Sequence, residues 1–249
     1  MRSLRLLALV LGLAATQAFA SPTAPANGAE YVTLANPQPV QNAGKKVEVL
    51  EFFMYHCPHC NALEPELEAW IKRQGNNISV RRVHFPYSGP TDPEAHLYLT
   101  LEAMGKLDEM HAKVFHAFHV ERLRLMKDDV IFDWVGKNGI DRAKFIDMWN
   151  SFGVVTNLKR QRSIVDAYAI DSAPTLVIDG RYKTSPSIVE TATGTHDEAV
   201  TMKQTIQVLD ALVAKVQKDS AKAAPAAAAA PVKAASTSAK AASAKASAK

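Results

Sequence analysis

The hydrophobic pattern of the chain changes period twice. Tyr31-Val32-Thr33-Leu34 predicts a short strand before a turn at Pro37 and Pro39, and Lys45 to Phe53, rich in valine, leucine and phenylalanine, predicts a buried one. From Pro58 to Arg73 the period becomes helical, with Leu63, Leu67, Trp70 and Ile71 on one stripe, and Gly75-Asn76-Asn77 ends it. Ile78 to Phe85 predicts another strand, so the first part reads as a βαβ unit with a parallel pair.

A long helical stretch follows. Asp92-Pro93-Glu94 is a helix start, with a capping side chain and proline in the first turn. Helical patterns run to Gly105, from Leu107 towards Val120, over Asp128 to Lys137, over Asp141 to Phe152 and over Val154 to Tyr168. Strand signals return at Thr175 to Ile178, turn at Asp179-Gly180 and resume over Arg181 to Thr184, a hairpin signature. Thr195-His196-Asp197-Glu198 has the spacing of a capping box. The helix behind it carries Met202, Ile206, Leu209, Val213 and Val216 on one face. The order βαβ, helices, ββα makes this an α/β chain with a helical domain set inside it.

Both ends differ from this body. Met1-Arg2-Ser3-Leu4-Arg5, an apolar run from Leu6 to Ala15 and Ala18-Phe19-Ala20 read as a signal peptide cut after Ala20. The run is half the roughly twenty residues needed to span a bilayer, which argues against an uncleaved anchor. The product is expected to be exported to an oxidising compartment. Residues 220–249 hold 16 alanines, five lysines, two prolines and no acid. They are expected to form a disordered Ala/Lys/Ser/Pro tail, with a weak tether to an anionic surface as the alternative.

These ends change the meaning of the formal charge, +4 over 249 residues. With Arg2, Arg5 and the five tail lysines set aside, 22 basic residues face all 25 acidic ones, and the body is near −3. A nucleic-acid surface needs a basic footprint on the fold, so that class loses its support.

Both cysteines fall in Cys57-Pro58-His59-Cys60, between the buried strand and the helix. A sulfur at a helix N-terminus meets unpaired N–H groups and the positive end of the dipole. Pro58 suits that turn because it has no N–H to leave unpaired, and His59 adds a cation or a donor beside the sulfur. Together they favour the Cys57 thiolate, the nucleophile and leaving group of disulfide exchange. Cys60, one turn further in, should be less exposed and resolve mixed disulfides. A structural disulfide closing so short a loop removes little unfolded-state entropy, and a zinc site lacks further ligands, so no metal is expected. The redox centre would be the Cys57–Cys60 disulfide itself, with no other cofactor.

Glu51-Phe52-Phe53, Cys57-Pro58-His59-Cys60 and Glu64, together with Ser172-Ala173-Pro174-Thr175, Asp179-Gly180-Arg181-Tyr182 and Trp149-Asn150-Ser151-Phe152, resemble the DsbA family of thiol:disulfide oxidoreductases. The resemblance covers about residues 31–216. It implies a thioredoxin fold with an inserted α-helical domain, so that between the signal peptide 1–20 and the tail 220–249 read above the body divides into thioredoxin-like halves 21–91 and 169–219 and a helical insertion 92–168. It further implies a monomeric periplasmic dithiol oxidase acting on folding exported proteins with reduced cysteines, reoxidised by a quinone-linked membrane protein of the DsbB type. Within it, Ala173 and Pro174 would form a cis-proline loop across from Cys57.

Other residues carry open alternatives. Glu51 either escapes burial by strand alternation or, buried, resists ionisation and shuttles a proton. Arg82 stands where the family often has lysine, and a guanidinium hardly gives up its proton, which argues against a relay there. His56 departs from the aromatic or small residue common before the first cysteine, and is read as a solvated rim residue or as a further cation on Cys57. His96, His111, His116 and His119 are read as surface or packing residues. A disulfide isomerase or reductase, and a peptide-binding chaperone with incidental cysteines, are the competing functions.

Overall fold

The computed structural model describes residues 21–41 and 46–228, with side chains to 222. Residues 1–20, expected as a signal peptide, and residues 229–249 of the expected tail lie outside the described residues.

The sheet has five strands: β1 (Val32–Thr33), β2 (Val47–Phe53), β3 (Ile78–His84), β4 (Thr175–Ile178) and β5 (Tyr182–Thr184), in the order β1-β5-β4-β2-β3. β2 pairs parallel to β3 and antiparallel to β4, and the other pairs are antiparallel. The parallel pair is joined by helix α1 (Pro58–Gln74), the right connection for strands that a hairpin cannot link. Every residue of β2 is buried, as its near-continuous apolar run requires. Val47 and Val49 pack with Leu63, Leu67 and Trp70 of α1 and with Ile206, Leu209 and Val213 of the C-terminal helix α8 (Glu198–Ala228). Leu50 and Phe52 face the other way, onto Val165, Tyr168 and Ile170.

Five helices lie between β3 and β4: α2 (Pro93–Ala103), α3 (Leu107–His119), α4 (Asp128–Lys137), α5 (Arg142–Trp149) and α6 (Phe152–Ala167). Their core is continuous with the strand-to-helix turn, since Phe53, Tyr55, Cys57 and Cys60 pack in the same cluster as Leu97, Met110, Phe115 and Trp149. The active turn therefore sits at the seam between sheet and helical insertion. The chain is a thioredoxin-like fold carrying a helical insertion.

One local expectation holds and two change. The Asp179-Gly180 turn forms with both residues at positive φ, 54° and 62°, and a Cβ on Gly180 would meet Gln38 O at 2.1 Å, so glycine is required there. The capping box does not: α8 begins at Glu198, and Asp197, not Thr195, accepts from the Val200 N–H at 2.9 Å. A carboxylate one residue before the helix outcompetes the threonine, and Glu198 is left free to reach elsewhere. Finally, α8 runs on to Ala228, into the segment expected as tail and past Pro225, where alanine-rich sequence has high helix propensity. An unforeseen short helix, α7 (Pro186–Thr193), follows β5, capped by Ser185 accepting from the Ile188 N–H.

Candidate active site

Cys57 is the N-cap of α1, in extended backbone (φ −75°, ψ 119°), with Pro58 in the first turn. Its Sγ accepts from the Cys60 N–H at 3.4 Å. That places the sulfur where the orphan amides of the helix point. Cys57 and Cys60 are not joined by a disulfide in this structure. Cys57 is 7% exposed and Cys60 1%.

The hydrogen bond with the Cys60 thiol, then the backbone N–H groups of Cys60 and His59 and the positive side of His59, outweigh burial and bring the Cys57 thiol down to about 6. Burial and the bond to Cys57 push Cys60 far up, so that Cys60 stays protonated. One sulfur is thus a thiolate at neutral pH and the other holds its proton.

The peptide bond Ala173–Pro174 is cis, and the Ala173 carbonyl oxygen lies 3.4 Å from the Cys57 Sγ. A shallow cleft beside the sulfur is lined by Ala173, Pro174 and His59 together with Pro186 and Met202. His59 is exposed, and its Nδ1 pairs with Glu198 at 2.8 Å, the carboxylate that the shifted cap of α8 releases.

Behind the cysteines lies a buried ionic cluster. Glu51 and Arg82 are partners across the β2–β3 ladder, and Arg82 Nε donates to Glu51 Oε2 at 2.8 Å. Glu64 and Glu68, one turn apart on α1, reach the same guanidinium at 3.4 and 2.6 Å. Glu51 is 1% exposed, so alternation does not rescue it from burial. Burial raises its carboxyl despite Arg82, and burial raises Glu64 to about 7. His111 is buried too. Desolvation and then Arg82 lower it to about 3, so it is a neutral imidazole at pH 7. Its Nδ1 meets the Tyr55 hydroxyl at 2.9 Å and its Nε2 lies 3.3 Å from Glu64. Glu64, Glu68, Arg82 and His111 line a cavity of about 640 Å³ that reaches the surface near Lys72 and His116.

His56 lies at the rim, about a third exposed, but it is paired rather than free in solvent. Its Nδ1 pairs at 2.7 Å with Glu94, a carboxylate 1% exposed in the first turn of α2, and Glu94 also accepts the His56 backbone N–H at 3.1 Å. Burial alone would raise Glu94, but hydrogen bonds from His56 and His84 outweigh it and bring it to about 2. The same bond raises His56. His84, at the end of β3, is fully buried, with its Nε2 3.3 Å from the Tyr55 backbone nitrogen and 3.5 Å from Glu94.

Sequence reasoning missed Glu68, His84, Glu94 and the part of His111 in the cluster. Glu68 carried a signal, since it lies four residues after Glu64 on one helix face. Glu94 was masked by its normal place in a helix first turn. Of the remaining histidines, His96 stacks on Trp149 with ring centroids 3.5 Å apart, His116 pairs with Glu121 at the surface, and His119 donates to the Tyr55 carbonyl at 2.8 Å.

Residues 91–207 match the model of the DSBA-like thioredoxin domain. The thiol:disulfide interchange protein DsbA of Burkholderia cepacia is 40% identical over 211 residues, covering 85% of this chain and 95% of the relative. The chain belongs to the DsbA family. The DsbA of Bordetella parapertussis is 41% identical over 182 residues, 73% of this chain and 86% of that one. Among solved structures, Pseudomonas aeruginosa DsbA superimposes with a TM-score of 0.66 at 31% identity, covering 78% of this chain and 95% of that chain. The oxidoreductase NmDsbA1 of Neisseria meningitidis gives 0.63 at 29% identity, over 78% and 95%. The DsbA family exchanges dithiols and disulfides through its own cysteine pair, and Cys57 and Cys60 are the cysteines this chain has for that chemistry.

Proposed function

We propose that the protein oxidises cysteine pairs of folding exported proteins in the periplasm, after removal of residues 1–20, and that it does so as a monomer. The reading rests on the Cys57 sulfur at the head of α1, ionised at neutral pH beside a protonated, buried Cys60.

In the oxidised form a client thiolate attacks the Cys57 sulfur. The client–Cys57 bond forms, the Cys57–Cys60 bond breaks, and Cys60 leaves with the electron pair and takes a proton. The client's second thiolate then attacks its own bridged sulfur and expels Cys57 as a thiolate. The client loses two electrons and two protons, and the enzyme gains them as a Cys57 thiolate, a Cys60 thiol and one proton released. Pro58, His59 and the amides of α1 stabilise the leaving Cys57, which is why the reduced state is favoured and the disulfide oxidising.

Ala173 and Pro174 offer backbone to an extended client. Glu51, close enough to raise Cys60 by its charge, is the proton donor to the leaving Cys60, with Glu64 at about 7 passing protons towards the cavity. Arg82 holds the three carboxylates in place and transfers no proton. Residues 21–91 and 169–219 act as the thioredoxin-like frame and 92–168 as its cover. Reoxidation falls to a quinone-linked membrane oxidase of the DsbB type. Among the described residues no helix is long and apolar enough to cross a membrane.

Oxidative refolding of reduced ribonuclease tests the reading. The wild-type disulfide form restores ribonuclease activity and Cys57→Ser does not, while Cys60→Ser, first loaded at Cys57 with glutathione from glutathione disulfide, releases that glutathione to a client thiolate and forms a client–Cys57 mixed disulfide. Equal refolding with Cys57→Ser would contradict the reading.

A further inference from the structure

Two clefts flank Cys57, and they differ in charge. The one against Ala173 and Pro174 also contains Glu190 and Glu198, each paired with a histidine of the same wall, His196 and His59. The other, of about 670 Å³, is bounded by His56 and Pro58 on either side of Cys57, by Tyr87, and by the segment after α3 that carries Arg122, Leu123, Arg124 and Met126. No carboxylate lines it. Tyr87 is 70% exposed, and Leu123 and Met126 are each 38% exposed. Large apolar side chains left open together mark a contact surface.

Arg122 and Arg124 are exposed and make no ion pair among the described residues. The nearby acids are engaged elsewhere: Glu94 is buried against His56 and His84, and Glu121 pairs with His116. The other histidine on this wall, His119, donates to the Tyr55 carbonyl. On a body near −3, two guanidinium groups with no ion-pair partner among the described residues give this cleft a charge opposite in sign to that of the body.

We propose that this cleft holds the client polypeptide next to its reacting cysteine and selects acidic residues flanked by apolar ones, with Arg122 and Arg124 determining the preference. The apolar wall takes the neighbouring side chain, and the guanidinium groups take the carboxylate, bidentate where geometry allows. The inference rests on the oxidase reading and adds a sequence preference to it.

The experiment uses the oxidised full-length mature protein and four reduced two-cysteine peptides. Asp-Leu or Lys-Leu stands on the N-terminal or the C-terminal side of the first cysteine. Each oxidation rate is divided by that peptide's rate with a small-molecule disulfide, which cancels differences in thiol reactivity. At low salt, an Asp-Leu peptide should exceed its Lys-Leu counterpart by about 5- to 10-fold in at least one placement, the scale of electrostatic steering. The excess should shrink in 0.5 M salt, vanish in R122Q/R124Q and invert in R122E/R124E.

Equal normalised rates for all four peptides, or a preference that survives the charge reversal, overturns the proposal. Loss of co-sedimentation with anionic phosphatidylglycerol vesicles in R122E/R124E, with the peptide ranking unchanged, makes the cleft a lipid contact and also overturns it. Failure of the wild-type protein to oxidise any peptide is a different result: it removes the oxidase reading and this one with it.

Discussion

Cys57 and Cys60 are separated by one helical turn and by the number of donors aimed at them. The Cys57 sulfur receives the amide end of α1, and Cys60 receives burial. This asymmetry has a measurable form. Below pH 6 reduction takes up two protons, and above it one, because the Cys57 thiol is at about 6. The equilibrium potential should therefore fall by about 60 mV per pH unit below that point and about 30 mV above it. A constant slope from pH 5 to 8 would show that Cys57 has an ordinary thiol. At the same scale, His56 is held beside Cys57 by Glu94, whose bond favours the protonated imidazole. In His56→Ala the thiolate absorbance midpoint should move up; an unmoved midpoint would leave His56 a purely structural residue. The pairing also fixes a sign in stability. A raised histidine contributes stability that is complete below its unfolded value near 6.5 and is lost as pH rises through its folded value, so His56→Ala should cost more at pH 5.5 than at pH 9. The tetrapeptide was legible in the sequence because its chemistry depends on local position at a helix start. The His56–Glu94 pair was not, because 38 residues separate its members and only the docking of α2 brings them together.

At the scale of elements, the site is a product of the β2–α1–β3 unit. Parallel pairing in register sets Arg82 opposite Glu51, and α1 returns over the same face to add Glu64 and Glu68. A single guanidinium therefore compensates three carboxylates in a place where charge is costly. Removing one partner of a buried pair costs about 3–5 kcal/mol, and Arg82→Met should lose at least that in urea unfolding at pH 8. The deficit should shrink at pH 5, where the freed carboxyls of Glu51 and Glu64 take up protons instead of staying charged. An equal deficit at both pH values would assign the loss to packing alone. The βαβ and hairpin elements were readable because period, turn chemistry and caps agreed there. The capping of α8 was not, since Thr195 and Asp197 both suit the role and only the backbone decides. α7 escaped notice because its eight residues are too few for a helical period to stand out.

The whole molecule joins two regions of different charge around one sulfur. Helices α7 and α8 supply the acidic side with Glu190 and Glu198, and the helical insertion supplies the basic side with Arg122 and Arg124. The insertion also contributes Glu94 and His111, so it completes the site as well as covering it. The order of elements showed that an insertion exists, but not that it brings buried groups to the cysteines, because α3 and β2 are distant in sequence. The formal +4 of the chain describes its ends; the body that binds clients is mildly acidic. All of this serves one claim, that the fold stabilises the Cys57 thiolate and so makes the Cys57–Cys60 disulfide an oxidant. The equilibrium potential of that pair against glutathione at pH 7 tests it most directly. The account predicts a value well above the roughly −270 mV of thioredoxin. A value at or below that of thioredoxin would contradict it.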